Sequence, residues 1–257
     1  MEDRKRIRAR PKVDVHTHYG EMPCVGERNS LAEFRAMLRE WNIKACLCSS
    51  ARAVFHDMEA GNRELAEMMP DAPEVFGYVY FDPRMPAAAI REIERYAANP
   101  RFVGVKSRPD YHGQLLNSRA CREILQCAKG HGFGLLLHTW GAAMAHAVAE
   151  VADEFGLPII LGHMGGGNWR EVVDAALPHR NVVVEPCCTI KEPGKVDYAL
   201  SRLGRERVLF GSDLTLIHPG WTIGQIESSR ADEETKEFIY WRNAVRLFPK
   251  VAPLLQQ

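Results

Sequence analysis

Eight short apolar runs, each followed by a loop and a helical pattern, recur along 257 residues and predict a single (β/α)8 barrel of the TIM type. The runs are rich in Val, Ile and Leu without strict alternation, which is typical of parallel strands covered on both faces. A strand–helix–strand unit needs about 30 residues, so eight units occupy nearly all of residues 1–257. An open doubly wound sheet is the alternative, but no G-x-G-x-x-G motif follows an early run.

The predicted strands and helices follow one another along the chain. The eight runs are KVDVHTH (12–18), IKACLCSS (43–50), VFGYVYFD (75–82), FVGVKS (102–107), GFGLLLHT (132–139), LPIILGH (157–163), NVVVEPC (181–187) and RVLFGSD (207–213). Between the first two, Ser30 is a predicted N-cap and Glu33 stands three residues later, which is the pattern of a capping box. The Ala-rich segment after the fifth run ends at Gly156, just before Pro158, as expected at a helix C-terminus.

Charge and hydropathy restrict the class of protein. The chain has 33 basic and 33 acidic side chains, so its net charge gives no reason to expect nucleic acid or an acidic membrane as partner. No apolar run approaches the ~18 residues of a membrane helix, and the first ten residues lack the apolar stretch of a signal peptide. We therefore expect a soluble, cytoplasmic protein with free cysteine thiols. Residues 1–10 are expected to form a flexible basic arm.

Histidines and an aspartate stand at the ends of four predicted strands. His16 and His18 end the first strand, where residues two apart point the same way. His138, His163 and Asp213 end the fifth, sixth and eighth strands. All strands of a parallel barrel end at one rim, where barrel active sites lie, so these five side chains are expected to meet there. Because imidazole and carboxylate groups bind zinc, the set predicts a metal site.

The segments that carry these residues resemble the amidohydrolase superfamily, in particular its amidohydrolase-related branch. That branch includes hydrolases and metal-dependent non-oxidative decarboxylases of the aminocarboxymuconate-semialdehyde type. The matching motifs are VDVHTH, GVK, LLLHTW, LGHMGGG, VLFGSD and the C-terminal WRNAVRLF, in order from Val13 to Phe248. The resemblance implies that one divalent metal, expected to be zinc, is bound by His16, His18, His138 and Asp213. It also implies that Asp213 and His163 are the catalytic groups.

Lys106 ends the fourth predicted strand, in GVKS. In binuclear members of the superfamily, a lysine at this place is carboxylated and bridges two metals, which would make His163 a metal ligand. Ser107 and Arg108 depart from the Lys-Leu-His sequence that is frequent there. One metal is therefore favoured over two, and Lys106 is expected to be unmodified and to contact the substrate or form an ion pair.

Several cationic and aromatic residues just beyond strand ends are candidates for substrate binding: Arg52, Arg84, Lys106, Arg108 and Trp140. Guanidinium groups bind carboxylates and phosphates, so a small anionic substrate is expected if these residues face the mouth of the barrel. The favoured function is hydrolysis of a small ester, lactone or amide by metal-activated water. In that reaction Asp213 would take the proton of the water, and His163 would help to stabilise the oxyanion.

Two other functions remain open from the sequence alone. One is non-oxidative decarboxylation of a small carboxylic acid at the same metal; known decarboxylases of the branch tend to be longer, which favours hydrolysis. The other is a non-catalytic binding protein with the same barrel, although the presence of all five rim residues argues against it. A homo-oligomer is compatible with the sequence.

Overall fold

A computed structural model describes residues 2–23, 27–190 and 192–256. Its strands, in chain order, are β1 (Lys12–Tyr19), β2 (Glu21–Met22), β3 (Glu27–Arg28), β4 (Ile43–Ser50), β5 (Val75–Tyr80), β6 (Phe102–Ser107), β7 (Gly134–Trp140), β8 (Ile159–Gly165) and β9 (Val182–Val184). Seven of them pair in parallel in the order β1-β4-β5-β6-β7-β8-β9, and β2 and β3 form a separate antiparallel pair. The sheet therefore follows the predicted order of the first seven runs.

Helices alternate with these strands. They are α1 (Glu2–Ala9), α2 (Leu31–Glu40), α3 (Ala51–Phe55), α4 (Met58–Met68), α5 (Pro86–Ala97), α6 (Arg119–Gly130), α7 (Ala142–Phe155), α8 (Trp169–Ala176), α9 (Lys195–Leu203), α10 (Gly220–Glu227), α11 (Glu233–Glu237) and α12 (Asn243–Leu247). The predicted capping box is present at the start of α2, where Ser30 Oγ accepts from the Glu33 backbone N–H at 3.2 Å. Helix α7 ends at Gly156, whose φ of +64° lies in the left-handed region that favours glycine. In the described part of the chain, no helix is long and apolar enough to cross a membrane.

The eighth predicted strand, residues 207–213, lies within a closing segment (residues 208–214) that completes the barrel without forming a regular strand. Its Leu209 N–H donates to the Val184 carbonyl at 2.9 Å, and its Phe210 carbonyl accepts from the Val15 N–H at 3.0 Å. The segment is therefore joined to β9 on one side and to β1 on the other. The (β/α)8 barrel is confirmed, with isolated bridges instead of a regular strand at the eighth position.

Apolar side chains fill the amino-terminal end of the barrel. They include Val13, Ala45 and Ile160 near strand starts, and residues after the last strand, among them Phe248, close the bottom. The Phe248 ring meets the Tyr78 ring edge to face, with centroids 6.2 Å apart. A second, larger cluster lies between the sheet and the surrounding helices, so the strands are covered on both faces. The histidines and Asp213 lie at the opposite, carboxyl-terminal rim.

The amino-terminal segment differs from the expected flexible arm. Residues 2–9 form α1, and ion pairs attach its end to the barrel: Arg8 contacts Glu40 at 2.8 Å and Arg10 contacts Glu227 at 3.1 Å. The Arg10 side chain is largely buried in its pair, whereas Arg8 and Glu40 remain about half exposed. Met1, the side chains of residues 2–4 and Cys24 lie outside the described residues; the other six cysteines are free thiols.

Asn243 provides a test of the barrel closure. Its buried side-chain amide donates to the Arg205 carbonyl at 2.7 Å and to the Val208 carbonyl at 2.8 Å, at the start of the closing segment. Asn243→Ala leaves both carbonyls without this donor, so we expect the free energy of unfolding to fall by about 1–3 kcal/mol in urea titrations. The control Ser201→Ala, on the exposed face of α9, should change it by less than about 0.5 kcal/mol. Equal stabilities of the two variants would contradict this role of Asn243.

Candidate metal centre and active site

Three predicted metal ligands meet where the closing segment runs beside β1. Asp213 Oδ1 lies 3.2 Å from His18 Nε2 and 3.5 Å from His16 Nε2. The Asp213 N–H also donates to the His16 carbonyl at 2.8 Å, so the backbone of one segment sets the position of the other. All three side chains are buried, and their ligand atoms lie within 4.8 Å of one another. One ion can therefore contact all three.

His138 and His163 lie side by side on the neighbouring strands β7 and β8. His163 Nδ1 lies 3.1 Å from the Cys187 carbonyl, which can only accept, so Nδ1 carries the proton in the neutral ring. His163 Nε2 then accepts from His138 Nδ1 at 2.9 Å. This pairing leaves His138 Nε2 as a lone-pair nitrogen that is buried and has no hydrogen-bond partner within the described residues.

The residues fit a divalent metal. His16 Nδ1 lies 2.8 Å from Glu185 Oε1, so its proton points at the carboxylate and Nε2 presents a lone pair beside Asp213. The unpartnered Nε2 of His138 is a second such donor atom. Metal-binding histidines commonly donate their other ring N–H to a carboxylate or to another fixed acceptor, as His16 does. His138 lies beside the close set of His16, His18 and Asp213 rather than within it.

Burial controls the protonation of this centre. It lowers the pKa of His16, His18, His138 and His163, which favours the neutral imidazole that binds metals. For Asp213, burial alone would raise the pKa, but the neighbouring histidines, His16 foremost, outweigh it and hold the pKa well below its usual range. Both directions favour the forms that bind a metal, which are the neutral imidazole and the carboxylate.

Lys106 reaches the ligand set from the end of β6. Its Nζ lies 2.8 Å from His16 Nε2, and the side chain is buried. Burial lowers the pKa of Lys106 to about 8. The expectation that Lys106 contacts the substrate or forms an ion pair stays a prediction, as does its modification state.

A cavity of about 410 Å³ opens above these groups. Its lining residues are His18, Met22, Lys106, Arg108, Asp110, Tyr111, His138, Trp140, His163, Thr189, Asp213, Leu216 and Ile217. Arg108 stacks over the Tyr111 ring at 3.6 Å, and Trp140 lies parallel to the His138 ring at 6.1 Å. Lys106, Arg108 and Trp140 thus lie at the cavity, as expected for residues that bind a substrate.

Two of the predicted substrate-binding arginines are not among the lining residues. Arg84 turns back to Asp82, two residues earlier in the chain, with Nη2 2.6 Å from the carboxylate. Arg52 lies on the short helix α3 with an exposed side chain. Both follow strand ends, but a residue beyond a strand can point along the rim instead of into the mouth. Neither arginine therefore lines the cavity, and their contact with a substrate stays a prediction.

The structure also adds residues that the sequence did not single out. Glu185 and Cys187 follow β9 and are buried between His16 and His163. A signal for Glu185 existed, since it is a polar residue at a strand end, like His138. Asp110 and Tyr111 lie in the turn after β6, where no periodicity indicates the direction of a side chain.

Both predicted catalytic residues have an unusual backbone. His163 and Asp213 each have a φ of +62°, in the left-handed region that residues with a side chain seldom adopt. Such strain persists only where surrounding contacts enforce it, and it is concentrated at functional sites. The Asp213 N–H bond to His16 is one such contact.

Solved structures with a similar fold include several decarboxylases. The 5-carboxyvanillate decarboxylase of Sphingomonas paucimobilis is 16% identical with a TM-score of 0.75, over 94% of this chain and 99% of that chain. The dihydroxybenzoic acid decarboxylase of a Polaromonas species, solved with manganese and the inhibitor 2-nitroresorcinol, is 17% identical with a TM-score of 0.78, over 93% and 97%. The 2,6-dihydroxybenzoate decarboxylase of Rhizobium is 18% identical with a TM-score of 0.74, over 93% and 99%. At these identities the likeness shows a shared fold.

The sequence itself gives the family. No protein of curated function matches it. The family model described as amidohydrolase, however, matches residues 13–250, from the start of β1 to beyond α12. This span includes every predicted metal ligand and both predicted catalytic residues. The chain therefore belongs to the amidohydrolase family.

Proposed function

We propose that the chain is a metal-dependent, non-oxidative decarboxylase of a small aromatic carboxylic acid. The observation that carries this proposal is the composition of the cavity, where two cations, Lys106 and Arg108, adjoin the His18–Asp213 ligand pair. Cations favour a substrate that enters with a negative charge. Tyr111 and Trp140 supply ring faces that can pack against a planar substrate.

The size of the cavity restricts the substrate. Its volume of about 410 Å³ lies toward the lower end of the ~300–1,000 Å³ of small-molecule sites. A benzoic acid with hydroxyl substituents is of suitable size and charge. The structurally similar decarboxylases act on acids of this type by their descriptions, which supports the choice. Because the alignments span nearly the full length of each of these chains, chain length alone does not favour hydrolysis.

His16, His18, His138 and Asp213 would hold one divalent metal. When bound, the ion would supply a Lewis-acid charge that polarises oxygen atoms of the substrate. Imidazole and carboxylate donors suit zinc and manganese alike. Manganese is present in two similar decarboxylases, so we propose it as a candidate beside the expected zinc.

The chain's own residues would bind the acid and move a proton. Arg108, held over Tyr111, would contact the carboxylate or an adjacent oxygen. Loss of CO₂ breaks a carbon–carbon bond and leaves an electron pair on the ring carbon, which must take up a proton. We assign that transfer to Asp213, which would accept a proton from a substrate hydroxyl and return it to the carbon. His163 would orient His138 through the Nε2–Nδ1 contact of 2.9 Å.

The proposed metal centre predicts how many metal ions each chain retains. Protein loaded with Mn²⁺ or Zn²⁺ and freed of excess ion by gel filtration should retain about one ion per chain by elemental analysis. His18→Ala removes a ligand atom and should lower the retained fraction. The control His146→Ala changes an exposed histidine on α7 and should keep it. Wild-type protein that retains no stoichiometric metal would contradict the proposed centre.

Product analysis separates decarboxylation from the predicted hydrolysis. Metal-loaded enzyme incubated with a panel of hydroxybenzoic acids in ²H₂O should release CO₂ and yield a phenol with one deuterium at the carbon that lost the carboxylate. Mass spectrometry and NMR of the product measure both. If esters or lactones are turned over in ¹⁸O-labelled water with label in the product acid, while no acid loses CO₂, the enzyme is a hydrolase.

Arg108 should act mainly in binding. Arg108→Gln removes a charged hydrogen-bond donor, whose contacts contribute about 1.5–3 kcal/mol, so we expect kcat/KM to fall about 10- to 100-fold, chiefly through KM. Steady-state kinetics on the best acid of the panel measures this change. The matched control is Arg52→Gln, which changes an arginine outside the cavity lining and should leave the kinetics near wild type. Equal effects of the two substitutions would contradict the proposed contact.

A further inference from the structure

We propose that Glu185 is a positioning residue that fixes two site histidines at once: the proton position of His16 and the backbone turn at His163. The proposal rests on the metal centre proposed above. Glu185 follows β9, is fully buried, and was not predicted from the sequence. Glu185 is not itself among the residues that line the cavity, so it would act through the two histidines it contacts.

Four donors surround the Glu185 carboxylate. Oε1 lies 2.8 Å from His16 Nδ1, 2.8 Å from the His163 backbone N and 3.1 Å from Cys187 Sγ. Oε2 accepts from the Cys187 backbone N–H at 2.7 Å. Backbone N–H groups can only donate, and an ionised carboxylate can only accept, so all four contacts are complementary.

For His16, the contact with Glu185 places the ring proton on Nδ1. With its proton on Nδ1 and directed at Glu185, the ring presents the Nε2 lone pair on the opposite edge. There it lies 2.8 Å from Lys106 Nζ and 3.5 Å from Asp213 Oδ1. Without a carboxylate at Nδ1, the proton can move to Nε2, and the ring loses its ligand atom on the metal side.

For His163, Glu185 supports the strained turn. The backbone N–H of His163 donates to the carboxylate, while its ring Nδ1 donates to the Cys187 carbonyl at 3.1 Å. Two contacts thus hold a residue whose φ is +62°. This orientation directs His163 Nε2 at His138.

A neighbouring glycine accommodates the carboxylate. A Cβ placed on Gly211, in the closing segment, would lie 2.9 Å from Glu185 Oε2 and 3.0 Å from the His16 Cβ. Ordinary side chains do not approach so closely. The glycine in the VLFGSD motif therefore leaves room for Glu185 between the closing segment and β1.

Glu185→Gln tests the proposal. The amide keeps the size of the side chain but replaces one of the two acceptor oxygens by an NH2 group, whereas donors contact both oxygens of Glu185. We expect Mn²⁺ affinity, measured by competition with a chelator, to weaken about 10- to 100-fold. The matched control is Glu92→Gln, which alters a buried carboxylate that accepts from Asn62 far from the site, and it should keep wild-type affinity. Circular dichroism and thermal melts of both variants report on folding.

A second measurement needs no substitution. In ¹⁵N-histidine NMR spectra of metal-free wild-type protein, His16 should be protonated at Nδ1 and not at Nε2. Protonation at Nε2, or a folded Glu185→Gln variant that binds Mn²⁺ as tightly as wild type, would overturn the proposal. If the Nδ1–H form is observed but wild-type protein takes up no metal, the contact with Glu185 stands and the proposed metal centre fails. The two proposals are thus tested separately.

Discussion

The hydrogen bonds that join residues 208–214 to β1 and β9 close the barrel, and the site depends on this closure. One of them, from the Asp213 N–H to the His16 carbonyl, places the last strand's carboxylate beside the first strand's histidines. Apolar packing at the other end of the barrel, closed by Phe248, leaves the carboxyl-terminal rim for polar groups. Asp213 also has a left-handed backbone conformation. A strained residue thus lies where residues 208–214 meet β1.

At this rim of the barrel, buried hydrogen bonds determine which ring nitrogen of each histidine carries a proton. A buried imidazole has two nitrogens, and the partner of one determines whether the other carries a proton. The Cys187 carbonyl fixes His163, His163 in turn fixes His138, and Glu185 fixes His16. Burial keeps these rings neutral. The hydrogen-bond partners of each ring therefore set which nitrogen is available as a ligand atom.

The surroundings of the ligand set then determine the chemistry that the centre can support. A metal with histidine and aspartate ligands serves hydrolysis and decarboxylation equally well, so the ligands alone leave the reaction open. The residues that line the cavity are more selective: Lys106 and Arg108 would favour an anionic substrate, and the rings of Tyr111 and Trp140 would pack against a planar one. The barrel and the ligand set are features of the amidohydrolase family. The proposal of an aromatic acid as substrate is based on these residues of the cavity wall.

The sequence by itself determined the barrel, the family and the five rim residues, because strand periodicity and residues at strand ends are local properties. It also indicated the capping box of α2, which depends on Ser30 and Glu33 alone. It could not tell Arg108, which lines the cavity, from Arg84, which folds back on Asp82, since the direction of a loop side chain depends on distant neighbours. Nor could it show that Glu185 meets His16, because only closure of the barrel brings residues 169 positions apart within 2.8 Å.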